Sequence, residues 1–144
     1  MPVNEIKLYV FEVLDKVRKA RTKEEKIKLL RKYEDWALKD ILLGTYSDKF
    51  QWNLPEGKVP FRKSEEHNAP TDLRRQHTQF RYFFKGGPGD KLTTIKREGM
   101  FIGLLEGIHP KDAELVINMI NKEKIEGITK NVAMEAFPNI PEWE

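Results

Sequence analysis

Residues 22–33 read TKEEKIKLLRKY, a stretch that begins with a capping residue and continues with helical spacing. Thr22 has the side chain of a good N-cap, and Glu25 three residues later completes a capping box. The apolar residues that follow recur every three positions, so they share one face of a helix. They are Ile27, Leu30 and Tyr33. The stretch therefore predicts an amphipathic helix that packs against its neighbours in the chain.

The same periodicity continues on both sides of this helix. Upstream, apolar residues at i, i+4, i+7, i+8 and i+11 predict an earlier helix. They are Ile6, Val10, Val13, Leu14 and Val17. Downstream, an apolar segment predicts a third helix that ends near Gly44. It contains Trp36, Leu38, Ile41 and Leu42.

Four more helices are predicted in the second half of the chain. One begins at Thr71 or Asp72 and runs to about Lys85, where the sequence GGPG at 86–89 stops it. Its inward stripe is Leu73, His77, Phe80 and Phe84. A fifth helix spans roughly residues 94–107. Its inward residues are Ile95, Phe101, Ile102, Leu105 and Ile108.

Two further helices and one long loop complete the predicted fold. Pro110 suits the first turn of a sixth helix, and a last helix runs from Thr129 to Phe137. Between the third and fourth helices, residues 47–70 carry prolines and predict a long irregular loop, with room for one short strand. Its large apolar residues should hold it against the core, and they are Phe50, Trp52, Leu54 and Phe61. We expect a single all-α domain of six or seven helices over residues 1–144.

Composition narrows the function classes. The 144 residues include no cysteine, which excludes disulfides, thiolate nucleophiles and cysteine-ligated zinc. No apolar run approaches the length of a membrane span, and the N-terminus lacks the layout of a signal peptide. We therefore expect a soluble intracellular protein.

Charge is distributed unevenly along the chain. Residues 73–97 contain seven basic residues against the single acid Asp90, a local charge of +6, whereas the whole chain carries +3. The basic residues are Arg74, Arg75, Arg81, Lys85, Lys91, Lys96 and Arg97. The acids that offset them lie mostly in residues 98–144, where nine acids outweigh four bases. A concentrated basic segment is typical of a surface that binds phosphates.

Helical geometry would gather part of this charge on one face. Arg74, Thr78, Arg81 and Lys85 are spaced at i, i+4, i+7 and i+11. Backbone amides of the glycine-rich turn, or of the next helix's N-terminus, would hold one further phosphate. The alternative interpretation is a solvated helix face, or one that pairs with the acidic C-terminal third. A helix terminator also explains the turn without any ligand.

Residues for catalysis are sparse. His67, His77 and His109 lack the spacing of metal ligands, and neither Ser47 nor Ser64 lies in a nucleophile elbow. The spacing places His77 on the inward stripe, as a core histidine, and His109 before Pro110, in a capping or loop role. We expect no enzymatic activity, no cofactor and no metal.

Two parts of the chain resemble a known DNA-binding domain. TKEEKIKLLRKY at 22–33, with ALKDIL at 37–42 and TYS at 45–47, resembles the start of the N-terminal DNA-binding domain of T-even phage ATP-dependent DNA ligases. GITKNVAMEAFPNI at 127–140 is similar to the closing helix of that domain. The resemblance implies an all-helical domain that contacts duplex DNA through its backbone. The chain has no K-x-D-G motif, so ligation by this chain alone is not expected.

Over nearly its full length the chain also resembles a family of small, uncharacterised proteins of T4-like tailed phages. The shared motifs are LPEGKVPF at 54–61, FKGG at 84–87 and IKREGMFIGLLE at 95–106. This resemblance implies a phage protein that acts in the host cytoplasm, and it implies no particular activity.

The leading hypothesis is a non-catalytic DNA-binding protein without strong sequence specificity. The seven basic residues would contact phosphates, and Thr78 would add a neutral hydrogen bond. Tyr82 and Phe83 are expected to be exposed, where they would stack on an unpaired base. The alternatives are a protein-interaction factor, such as a replication accessory or an inhibitor of a host protein, and a minor virion or assembly component. The interaction factor would use the aromatic loop or the acidic C-terminal third.

Overall fold

The computed structural model describes residues 8–55, 57 and 59–143, and this part of the chain is all-α. Its α-helices are α1 (Val10–Lys19), α2 (Lys23–Lys32), α3 (Trp36–Tyr46), α4 (Leu73–Gln76), α5 (Thr94–Gly107), α6 (Pro110–Ile120) and α7 (Lys130–Ala136). Short 3-10 helices span His77–Tyr82, Pro88–Lys91 and Pro141–Trp143. The predicted fold class is confirmed. No described helix is both long and apolar enough to cross a membrane.

Side-chain caps set where most helices begin, as their sequences predict. Thr22 accepts a hydrogen bond from the Glu25 amide at 3.2 Å, although the Glu25 carboxylate accepts from Arg21 rather than from Thr22. The predicted capping box is therefore only half formed. His109 caps α6, because its Nδ1 accepts from the Lys111 amide at 3.0 Å. The other capping residues are Asp35, Asp72, Thr93 and Thr129.

The core lies between α3, α5 and α6, with α1, α2 and α7 packed around it. The predicted inward residues of α1 are buried, except that Ile6 lies outside the described residues. The expectation that Ile95 faces inward is wrong, because Ile95 lies in the first turn of α5, beyond the packed face, and is 84% exposed. Trp36, in the first turn of α3, is 57% exposed.

The predicted fourth helix is also wrong beyond its first turn. Asp72 caps it as expected, but α4 ends at Gln76 and a 3-10 helix follows to Tyr82. The chain then leaves the helix because its backbone pairs with the loop. The Asn53 amide donates to the Phe83 carbonyl at 2.6 Å, and the Lys85 amide donates to the Gln51 carbonyl at 2.7 Å.

The loop between α3 and α4 is irregular and anchored, as predicted. Phe50, Trp52, Leu54 and Phe61 are partly buried and pack against the core. The indole Nε1 of Trp52 donates to the Gly44 carbonyl at 3.0 Å. In place of the short strand, the described residues contain one isolated antiparallel bridge, between Trp52 and Phe84.

Candidate nucleic-acid interface

The glycine-rich turn at 86–89 is a packed structural element. Gly86 has φ +87, a conformation that favours glycine. Its amide donates to the Asp90 carboxylate at 2.7 Å, so it is not available to a phosphate as the sequence had suggested. Gly89 packs so tightly that a Cβ there would lie 1.8 Å from the carbonyl oxygen of Tyr82. The turn thus holds the two 3-10 helices around it against each other.

Arg97 does not belong to the exposed basic surface that the sequence predicts. Its side chain is only 7% exposed. Its Nε donates to the Asn53 carbonyl at 2.9 Å, and Nη1 donates to the carbonyls of Gly89 and Leu92 at 3.2 and 3.1 Å. These bonds tie the start of α5 to the loop and to the glycine-rich turn. The predicted phosphate contact by Arg97 is wrong for this reason.

The two arginines of α4 are also engaged, to different extents. Arg74 Nε donates to Asp35 Oδ2 at 2.8 Å, and both side chains are half-buried. This pair joins α4 to the start of α3, so Arg74 does not lie free on the surface. Arg75 is exposed, and its Nε lies 3.8 Å from Asp72 Oδ2. A contact of that length on an exposed side chain contributes little and leaves the guanidinium accessible.

Four basic side chains remain exposed around the glycine-rich turn, and we call them the basic rim. No described carboxylate lies within the 4 Å range of an ion pair with any of them. They are Arg81, Lys85, Lys91 and Lys96. The elements that carry them are held together by the close approach of Gly89 to Tyr82 and by the three hydrogen bonds of Arg97.

An aromatic pocket of about 170 Å³ lies beside the basic rim. Its aromatic rings contact one another, with Phe84 edge-on to Phe50 at 5.1 Å and edge-on to Trp52 at 6.2 Å between centroids. Its polar residues are Asp40, His77, Thr78 and Arg81, so Arg81 belongs to both features. The remaining lining residues are Leu43, Gly44, Phe50, Trp52, Phe80 and Phe84.

A histidine–carboxylate pair forms part of the pocket wall. His77 Nδ1 lies 2.5 Å from Asp40 Oδ2, and the His77 side chain is 15% exposed. Burial raises the pKa of the Asp40 carboxyl, and the hydrogen bond from His77 opposes that shift. The Nε2 atom of His77 has no hydrogen-bond partner among the described residues, yet it is not sealed from solvent. The contact with Asp40 occupies Nδ1 and leaves Nε2 as the ring nitrogen that can hydrogen-bond with a ligand.

The pocket was missed from the sequence because the helical period changes at residue 77. A 3-10 helix has three residues per turn, so positions i and i+3 share a face. His77, Phe80 and Phe83 therefore face inward, and the expectation that Phe83 is exposed is wrong, since its exposure is 0%. Thr78 and Arg81 occupy the next face together, and both reach the pocket.

The part of the chain that the structure describes contains no group of three or more metal-ligating side chains. The chain belongs to a family of unknown function (DUF6433), whose model matches residues 13–126. That span includes the basic rim and the aromatic pocket. Among curated proteins, none matches the chain. A function for the chain is therefore inferred from the chemistry of the basic rim and the aromatic pocket.

Proposed function

We propose that the protein binds DNA through backbone phosphates, as a non-catalytic phage accessory protein without strong sequence specificity. The basic rim is the observation that carries the proposal. Its guanidinium and ammonium groups match phosphate oxygens, and their binding releases counterions from DNA. The resemblance of residues 22–47 and 127–140 to the DNA-binding domain of phage ligases involves mostly core and capping residues, so it concerns the fold more than the function.

The other basic residues give less support to a DNA surface. Residues 16–32, which cover the end of α1 and all of α2, carry nine basic residues against two acids, but several of these basic side chains bond to other parts of the protein. Arg18 Nη2 lies 3.2 Å from Asp15, and Lys23 Nζ lies 2.6 Å from Glu135. Such residues stabilise contacts within the protein. The rim differs because no ion pair of the described residues involves its side chains, and Asp90, the acid next to Lys91, accepts hydrogen bonds from Gly86 and from Asn53.

A protein-interaction role, as a replication accessory or a host inhibitor, is the alternative proposal. The exposed Trp36 at the start of α3 favours it, because tryptophan is enriched at the centres of interfaces. Lys39 Nζ lies 4.5 Å from the centroid of this ring and covers part of it. The aromatic loop gives little support, because its large side chains pack against the core.

The charge pattern predicts the result of a binding experiment with labelled DNA. Fluorescence anisotropy should detect binding to intact and nicked duplex, with log affinity falling by about 0.9 per phosphate contact for each unit of log salt. The double variant Arg81→Glu/Lys85→Glu should weaken binding at least about tenfold and reduce that slope by about 2. The reason is that two contacts are replaced by repulsion.

A matched control separates local contact from net charge. Lys16→Glu/Lys28→Glu changes two exposed lysines of α1 and α2 and gives the same total charge. It should keep nearly normal affinity and slope. If both double variants lost duplex affinity equally, the loss would come from the change in net charge. That result would contradict an interface at the basic rim. Absence of duplex binding by the unchanged protein at low salt would remove the proposal.

A further inference from the structure

We propose that the aromatic pocket binds a single nucleotide, with a pyrimidine base against the rings and its phosphate on Arg81. Two sources share this chemistry: an unpaired nucleotide of a DNA strand and a free nucleoside monophosphate. The first source rests on the proposed DNA binding, whereas the second does not. The pocket walls, its polar groups, its position and its size support the inference.

The walls of the pocket provide fixed aromatic surfaces. The Trp52 ring is held by the bond from Nε1 to the Gly44 carbonyl, and its backbone is paired with that of Phe84. Phe50, Trp52 and Phe84 each remain partly exposed, although all three rings contact one another. Every nucleobase has a π face that stacks on such rings, so the walls would accept a base whatever hydrogen-bonding groups its edge carries.

Polar groups at the pocket match the other parts of a nucleotide. His77 Nε2 has no hydrogen-bond partner among the described residues, and Asp40 fixes the orientation of the ring. The Nε2 atom and the hydroxyl group of Thr78 are suited to hydrogen bonds with the edge of a base. Arg81 is exposed at the pocket, where its guanidinium forms a fork for a phosphate.

The position of the pocket connects it to the basic rim. Arg81 lines the pocket and is itself a member of the rim. Lys85 directly follows Phe84, whose ring forms one wall. A strand whose phosphates follow the rim would therefore pass the pocket with its bases within reach.

The volume of the pocket limits the size of the base that it can hold. Its volume is about 170 Å³. A protein cavity of about 150 Å³ is known to hold one benzene molecule, so this pocket fits one six-membered ring with its substituents. A purine has two fused rings and would leave part of its surface outside. We therefore expect a pyrimidine to bind more tightly than a purine.

The test uses the full-length protein and two readouts. Thymidine monophosphate should quench tryptophan fluorescence, adenosine monophosphate should do so less, and Trp52→Phe should abolish the quench. Anisotropy should show that duplex with a single-thymine bulge binds about tenfold more tightly than intact duplex, since one base adds a stacking contact.

Two threonine variants keep the test independent of folding. Thr78→Phe places a ring in the pocket from an exposed position, and Thr94→Phe makes the same change at an exposed threonine that does not line the pocket. The first should remove both the quench and the bulge preference. The second should change neither. Retention of quench and preference in Thr78→Phe would overturn the proposal.

The outcomes distinguish a free nucleotide from an unpaired nucleotide of DNA, and they also distinguish the nucleotide pocket from the proposed DNA binding. Quenching by the free nucleotide without a bulge preference supports the pocket and assigns it to the free source. Quenching without any duplex binding supports the pocket and contradicts the DNA-binding function. Salt-dependent duplex binding with neither quench nor preference overturns the pocket and leaves the function standing. Equal affinity for the two nucleotides overturns the pyrimidine assignment.

Discussion

Arg97 and Arg81 both belong to the basic segment 73–97, but they have opposite surroundings in the structure. Arg97 is buried because its guanidinium meets the carbonyl of Asn53, 44 residues away, together with two carbonyls of the nearby turn. Arg81 is exposed; its guanidinium donates to the hydroxyl group of its neighbour Tyr82 at 3.2 Å and lies 5.1 Å from the centroid of that ring. Counting charges along the chain cannot separate these cases, because the acceptors that decide them come from distant residues.

The different surroundings predict different consequences of substitution. Arg97→Met should destabilise the protein by roughly 3 kcal/mol, because it leaves three carbonyls, one buried and two partly buried, without their donor. Lys96→Met, one residue away on the exposed side, should change stability by less than about 0.5 kcal/mol. Urea unfolding followed by circular dichroism measures both. An Arg97→Met protein of normal stability and weakened DNA affinity would return Arg97 to the phosphate-binding set.

Helix starts are readable from the sequence because their signals are local. Thr22 and Thr129 cap α2 and α7 through amides only three residues away, and the sequence predicts both helices within a residue or two. The end of the fourth helix depends instead on Gln51 and Asn53, which lie 34 and 30 residues upstream of the backbone they pair with. A periodic pattern within one helix contains no information about this pairing. The sequence therefore predicts the basic residues, but it does not predict the pocket that the pairing forms beside them.

The tight contact between the 3-10 helices makes Gly89 a sensitive position. Gly89→Ala should destabilise the protein by at least about 2 kcal/mol, because the new Cβ would meet the rigid backbone of Tyr82 at 1.8 Å. Gly99 is the matched control. It lies inside α5 with nothing within 4 Å of its Cβ position, so Gly99→Ala should stabilise by roughly 0.5–1 kcal/mol.

Thermal unfolding of the two alanine variants measures the difference directly. The midpoint should fall for Gly89→Ala and rise for Gly99→Ala. Since Arg97 and the turn hold the rim together, Gly89→Ala should also weaken duplex binding, whereas Gly99→Ala should not. Equal midpoints would mean that the turn accommodates a side chain and does not hold the two 3-10 helices in place.

Long-range contacts join the beginning of the described chain to its later helices. Arg31 of α2 donates to the carbonyls of Ala136 and Glu135 at the end of α7, at 3.0 and 2.8 Å. Asp112 of α6 accepts a hydrogen bond from the Phe11 amide at 2.9 Å, across 101 residues. Asp112 is 1% exposed, so this contact places a carboxyl group inside the packed helices. The stability of the whole molecule should therefore depend on the protonation of this group.

Burial raises the pKa of Asp112 from 3.8 to about 6, although the hydrogen bond from Phe11 acts in the opposite direction. A raised pKa means that the folded state binds the proton more tightly than the unfolded state does. The resulting stabilisation is fully present below about pH 3.8 and is lost as pH rises through about 6. The two-unit difference corresponds to roughly 3 kcal/mol.

Asp112→Asn removes this titration and keeps an oxygen that accepts from Phe11. Its free energy of unfolding, measured with urea relative to the unchanged protein, should therefore improve by roughly 2.5 kcal/mol between pH 4 and pH 7. Taking the difference between the two proteins cancels the titration of the other groups. Asp48→Asn, at an exposed aspartate, should show a much smaller trend. A flat difference for Asp112→Asn would mean that water reaches the carboxylate, and that the contact between α6 and α1 is looser than a buried hydrogen bond implies.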